Sequence, residues 1–199
     1  LKPAFTTRFT RSAWMLAPRD GVRIELALDR GWIEAAGRRQ AICEVGLELR
    51  SGEVADLFSV AGELQTELQL HPEAASKFQR GYRVLADEPR QPVKALPIAT
   101  DGGMTTVAAF RTVARFDPLW QALARQLGEA RNWDVFTGET LPSIFAAFPE
   151  GGVAARLSHY ATARCVSNRE AARASLKSVD YSRLLLEFTA SVLALPEGK

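Results

Sequence analysis

Two stretches of this chain alternate apolar and acidic residues with a period of two, and that pattern limits the fold more than any other feature. In Ile42-Cys43-Glu44-Val45-Gly46-Leu47-Glu48-Leu49-Arg50, residues Glu44, Gly46, Glu48 and Arg50 share one face, and Cys43, Val45, Leu47 and Leu49 share the other. Over residues 23–29, Glu25, Ala27 and Asp29 oppose Ile24, Leu26 and Leu28. Successive side chains of a β-strand point to opposite faces, so both stretches predict strands with an apolar face and an acidic one. Carboxylates repeated along one face repel each other unless cations or water stand between them. Two readings are open: a solvated outer face of an antiparallel sheet, or an acidic lining that holds a metal ion.

The flanking sequence extends the pattern into a meander. Thr and Phe dominate residues 4–14, which read as a first strand, and Pro18-Arg19-Asp20-Gly21 reads as the turn returning the chain antiparallel. Gly31 begins a short excursion to Ala36-Gly37 before the strand at 42–50. After Ser51-Gly52-Glu53, the recurrence of Leu57, Phe58, Val60, Ala61, Leu64 and Leu68 predicts a helix across the outside of the sheet. His71-Pro72 ends it, and residues 76–85 read as a loop feeding a last strand. Pro89, Pro92 and Pro97 interrupt residues 87–103, which we take as a linker between a β domain at 1–86 and a helical domain at 104–199. In the second half, Val107, Phe110, Val113 and Ala114 mark one helix. Leu119, Trp120, Leu123 and Leu127 mark another, which Gly128 is placed to end. Apolar residues from Trp133 to Phe148, and the stretches 153–178 and 181–195, complete a small bundle. The fold class is α+β.

Composition narrows the chemistry. A net charge of +2 is too small to imply nucleic acid. Twenty of the 25 basic residues are Arg, whose planar forks suit phosphate oxygens, although a genome-wide Arg bias gives the same count. Cys43 and Cys165 lack metal-ligand spacing and read as reduced, mostly buried thiols of a cytoplasmic protein. There is no apolar run of membrane-spanning length, no signal-peptide pattern and no Gly-rich phosphate loop. His71 and His159 lie beside no nucleophile elbow, so both read as structural or surface residues. What remains is Glu25, Asp29, Glu44 and Glu48, together with the cations Arg8, Arg11, Lys77 and Arg80. Hard carboxylate oxygens suit Mg2+ or Mn2+, and a polyanion such as triphosphate needs both cations and a carboxylate-held metal. Ordinary cross-strand salt bridges are the other reading of the same residues.

Four stretches carry a family resemblance. Thr7-Arg8-Phe9-Thr10-Arg11-Ser12-Ala13-Trp14, Glu25-Leu26-Ala27-Leu28-Asp29-Arg30-Gly31, the strand from Ile42 continued through Ser51-Gly52, and Ser76-Lys77-Phe78-Gln79-Arg80-Gly81-Tyr82 resemble, in order and spacing, the C-terminal half of a CYTH domain. CYTH proteins are the triphosphate tunnel metalloenzymes. The remainder, most clearly Leu127-Gly128-Glu129-Ala130-Arg131-Asn132-Trp133-Asp134-Val135-Phe136, resembles the CHAD domain, a helical bundle that follows CYTH in bacterial inorganic triphosphatases.

The resemblance implies a closed antiparallel β barrel, or tunnel, followed by a CHAD-like bundle. It implies metal-dependent hydrolysis of inorganic triphosphate, or alternatively a non-catalytic polyphosphate- or nucleotide-binding protein. Arg11, Lys77 and Arg80 would bind phosphate, with Arg8 as a further candidate on the opposite strand face. Glu25 and Glu48 would be catalytic, Glu44 and Glu48 would hold Mg2+ or Mn2+, and Asp29 would support them. Expected partners are inorganic triphosphate or polyphosphate, with neither membrane nor nucleic acid, and self-association through the helical half. Three departures stand out: no N-terminal Glu-x-Glu-x-Lys signature, Gly46 where a third glutamate is usual, and no His- and Arg-rich CHAD helices. The expectation is that further strands lie outside this chain, or that it is a truncated copy.

Overall fold

Period-two sequence produces three long strands. β1 (Thr6–Leu16) pairs antiparallel with β2 (Arg23–Ala35), which pairs antiparallel with β3 (Arg38–Ser51). The computed structural model describes residues 3–89, 110, 111, 113–147 and 152–195, of which 3–89 form one compact unit and 113–192 another. The excursion expected after Gly31 is absent, because β2 continues unbroken to Ala35. Only Ala36 (φ 50°) and Gly37 (φ 76°) then connect β2 to β3. Two central residues with positive φ match the right-handed strand twist, and this permits so tight a hairpin.

The register aligns the acidic faces of β2 and β3. Glu25 lies opposite Glu48, and Asp29 lies between Arg11 and Glu44. The other face carries the core: buried Val22, Ile24 and Val60 pack with Leu16, Leu47, Leu49, Leu57 and Leu64. Full burial of a side chain such as Ile24 is worth about 1.5–3 kcal/mol. α1 (Val54–Leu68) covers this face, starting at a reciprocal capping box between Glu53 and Asp56. Arg19 in the β1–β2 turn forks onto Asp56 with two 2.8 Å hydrogen bonds, tying the turn to the helix start.

Two expectations are corrected. Residues 76–85 are not a loop and strand. They form α2 (Lys77–Ala86), started by a capping box between Ser76 and Gln79. Phe78 and Tyr82, one turn apart, clasp Phe5 edge-to-face, with ring centroids 4.9–5.8 Å apart. A Cβ on Gly81 would enter the Phe5 ring at 2.5 Å, so glycine lets this helix approach the chain before β1. The second correction is the barrel. Among the described residues the chain forms an open three-stranded sheet at its N-terminal end, with β1 and β3 as edges, and neither a closed barrel nor a tunnel. Closure demands enough tilted strands for the last to meet the first, and three do not suffice.

The second unit is helical: α3 (Asp117–Val135), a π-helical turn (Phe136–Thr140), α4 (Leu141–Ala147), α5 (Gly152–Leu176) and α6 (Val179–Leu193). Gly128 does not end α3, which continues through it to Val135. α3 packs chiefly on α5. The small buried residues Ala130, Ala161, Cys165 and Ala172 of these two helices leave their backbones room to approach. Phe116 and Trp120 both meet Phe188 edge-to-face, at 5.5 and 5.4 Å between centroids, joining the start of α3 to α6. Most of the linker at 87–103, and Val107 of the first expected helix, lie outside the described residues. No helix among the described residues is long and apolar enough to cross a membrane.

Two glycines of the sheet should respond oppositely to alanine. A Cβ on Gly31 would overlap the Arg8 carbonyl oxygen and come within 2.5 Å of the Phe9 Cα, whereas one on Gly46 meets nothing within 4 Å. Gly31→Ala should therefore cost about 3 kcal/mol, because backbone must move. Gly46→Ala should leave stability unchanged or raise it by up to about 1 kcal/mol. Denaturant midpoints of the two variants check the contrast.

Candidate functional site

The charged face of the sheet gathers its side chains into two groups. In the first, Asp29 sits at the centre of β2 with its side chain only 4% exposed. Arg11, its neighbour on β1, grips it with a fork: Nε to Oδ1 at 2.7 Å and Nη2 to Oδ2 at 2.8 Å. Lys77, on the first turn of α2, approaches the same carboxylate at 2.7 Å and also binds Glu44 of β3. Arg80, one turn further along α2, binds the other oxygen of Glu44. Three cations and two carboxylates thus alternate across β1, β2, β3 and α2. Phe9, two residues before Arg11 on β1, lies under both Lys77 and Arg11, 5.0 and 5.8 Å from its ring centroid.

This geometry explains the protonation states. The Arg11 fork, followed by Lys77, holds the Asp29 carboxyl down at about 2 against an opposing push from burial. Burial pushes the Glu44 carboxyl up, but hydrogen bonds from Lys77 and Arg80 outweigh it, and the group ends below its ordinary value. Burial likewise lowers Lys77, and its bonds to Asp29 and Glu44 reverse the sign, leaving it raised. All three groups therefore stay charged at neutral pH.

The second group lies further along the same face. Glu25 and Glu48 are directly opposite, and Arg50 joins them, 2.6 Å from Glu25 and 3.0 Å from Glu48. The hydrogen bond that Arg50 donates to Glu25 is the main reason its guanidinium is raised. Between the two groups run Ala13, Ala27 and Gly46, paired across the three strands. These residues leave the floor between the charged groups low. Arg8 joins neither group: it pairs in register with Trp32, three residues from Arg11 and so on the opposite face.

As a metal centre the residues give a partial donor set. Among the described residues no three His, Cys, Asp or Glu side chains gather closely enough to hold a metal ion alone. Mg2+, however, binds through one or two carboxylates while phosphate and water oxygens complete its octahedron. The opposed Glu25 and Glu48 pair is a set of that kind. Glu44, in the first group, has both carboxylate oxygens engaged by cations.

Sequence reasoning misses two residues here and gives a third too small a part. Asp29, cast as a support, is the centre of the first group. Arg50 and Phe9 were not named as site residues, although Arg50 shares the acidic face with Glu48 in any strand reading. In the helical unit a separate polar cluster forms where α5 crosses the end of α3, around buried Cys165, whereas Cys43, expected to be buried, is exposed. Arg169 donates to Asp134 at 2.6 Å, and the Cys165 thiol donates to the same oxygen at 3.2 Å. The Arg169 bond, with that from Cys165 second, lowers the Asp134 carboxyl. His159 is exposed on α5.

Comparison with known proteins bears on part of the chain. The family model described as "CHAD domain" matches residues 104–198. The inorganic triphosphatase of Haemophilus influenzae is 40% identical over 82 residues, a stretch covering 41% of this chain and 23% of that protein. The chain thus matches about a quarter of that relative's length. Part of this chain is therefore related to an inorganic triphosphatase, and its helical half matches the CHAD family.

The Asp29 cluster sets a pH signature. Its carboxyl titrates at about 2 when folded, below the ordinary value of 3.8, so the folded state binds fewer protons in this range. The stabilisation, on the order of 2 kcal/mol, is fully present above about pH 4 and is lost as pH falls towards 2. Asp29→Asn should lower stability at pH 6 by about 2–3 kcal/mol. The gap between wild type and variant should shrink as pH is lowered from 4 to 2. Urea unfolding at a series of pH values measures both.

Proposed function

We propose that the charged face of the sheet binds the phosphate chain of inorganic triphosphate, and that the protein to which it belongs hydrolyses a phosphoanhydride bond with Mg2+ or Mn2+. The observation that carries this reading is the set of three cations, Arg11, Lys77 and Arg80, converging beside an opposed carboxylate pair, Glu25 and Glu48, on one sheet face. The partial similarity to an inorganic triphosphatase supports the same substrate class.

Without ligand, the cations neutralise Asp29 and Glu44. Non-bridging phosphate oxygens compete for the same donors, and Arg forks meet them with bidentate geometry. In this reading Lys77 and Arg80 turn from Glu44 to phosphate, which frees Glu44 to act beside Glu48 and Glu25 as an oxygen ligand. Asp29, gripped by Arg11, keeps that guanidinium in place. A bound Mg2+ or Mn2+ supplies Lewis-acid polarisation of the phosphoryl oxygens. Glu25 and Glu48 orient a water towards the terminal phosphorus and accept its proton. The bridging P–O bond breaks with its electron pair on the leaving diphosphate, and inorganic phosphate is released.

A second reading rests on a specific feature. Position 46 carries no side chain, and among the described carboxylates of this face Asp29, Glu25, Glu44 and Glu48 are all ion-paired. That arrangement also suits a protein that binds polyphosphate or a nucleotide without cleaving it.

Phosphate release from triphosphate separates the readings. The hydrolase should show release that needs Mg2+ or Mn2+ and stops with chelator. Arg11→Ala and Glu48→Ala should each lower it by about 100-fold, the usual effect of removing one electrostatic partner of a reacting group. Tight polyphosphate binding that survives chelator, with no release, would sink the hydrolase reading and leave the binder.

A further inference from the structure

A further cluster of guanidinium groups lies in the sheet unit at the hairpin end. A cavity of about 540 Å3 opens there, bounded by the start of β3, the last turns of α2 and the segment that follows α2. This volume lies within the range of small-ligand sites. Arg38, Arg39, Arg80 and Arg83 all line it.

The four guanidinium groups are not equally committed. Arg38 is used as a strut: it donates to the Val84 and Leu85 carbonyls at the end of α2, at 2.9 and 2.7 Å, and reaches Asp87 at 3.3 Å. Arg39 bonds Glu34 across the strands at 3.2 Å. Arg83, half-buried on α2, has no side-chain partner among the described residues. Arg80 is the informative one. Its side chain is 9% exposed and binds Glu44 through Nη2, yet its Nε–H is buried with no acceptor. Buried donors are nearly always satisfied, and a charged donor is the costliest to leave without a partner.

We propose that this cavity binds a phosphate-sized oxyanion, with Arg80 Nε and Arg83 as its donors. The proposal does not rest on triphosphate hydrolysis. The anion would sit at the hairpin end, while Arg80 Nη2 remains on Glu44. An oxyanion supplies the acceptor that Arg80 lacks and a counter-charge for Arg83, and forked guanidinium groups suit its tetrahedral oxygens. Three carboxylates share the wall: Asp87 is paired with Arg38, while Glu73 and Glu88 oppose the anion and weaken its binding.

Isothermal titration with inorganic phosphate, in chelator and at constant ionic strength, tests the assignment together with Arg Nε–Hε NMR spectra. Phosphate should bind with 1:1 stoichiometry at this cavity and shift the Arg80 Hε resonance, identified by its loss in Arg80→Lys. Arg83→Ala should weaken binding at least tenfold, and Glu88→Gln should tighten it several-fold. Unchanged affinity in Arg83→Ala, or an Arg80 Hε resonance that does not move at saturation, would overturn the proposal. Because the readout is phosphate binding without metal, it succeeds or fails independently of turnover.

Discussion

The sheet unit depends on a single buried carboxylate. Asp29 stands in the middle strand, almost out of contact with solvent, and such a charge is tolerated only when paired. Its partners come from both directions: Arg11 from the neighbouring strand and Lys77 from a helix nearly fifty residues later in the chain. The first pairing follows from the register of β1 and β2. The second docks α2 on the charged face and brings Arg80 with it to Glu44.

This docking makes the two faces of the sheet different in kind. The apolar face is closed by α1 through aliphatic packing, which is non-directional and serves stability. The charged face is covered at one end by α2 through ion pairs, which fix orientation and leave the Glu25 and Glu48 end more open. Cations held beside carboxylates that an anion can replace are suited to exchanging partners. The gain from pairing a phosphate chain with these cations is then partly offset by the loss of existing pairs, so selectivity rests on geometry more than on net charge. Arg50, lying between Glu25 and Glu48, extends the same logic to the acidic end.

Much of this was legible in the residues. The period-two alternation located β2 and β3 and put Glu25, Asp29, Glu44 and Glu48 on one face, because a side chain's face follows from its position in the strand. It also separated Arg8 from Arg11. Residues 76–85 do not read as a helix because apolar and basic residues crowd that stretch without clear periodicity, and the one local signal for α2 is the Ser76–Gln79 capping box that starts it. The barrel was inferred from resemblance, and strand count is a property of the assembled sheet that no local pattern contains. Gly128 reads as a helix end, but tertiary packing of α3 on α5 outweighs the roughly 1 kcal/mol helix penalty of one glycine.

The sequence by itself determined which residues face together: backbone geometry gives strands a period of two, and the amino-acid order then assigns each charge to a side. Only the tertiary structure decided who neutralises whom. Register set Asp29 between Arg11 and Glu44, and the docking of α2 brought Lys77 and Arg80 onto the same carboxylates. Those pairings join residues from 18 positions apart (Arg11 and Asp29) to 48 apart (Asp29 and Lys77), distances at which chain periodicity carries no information and only packing and charge select the partner.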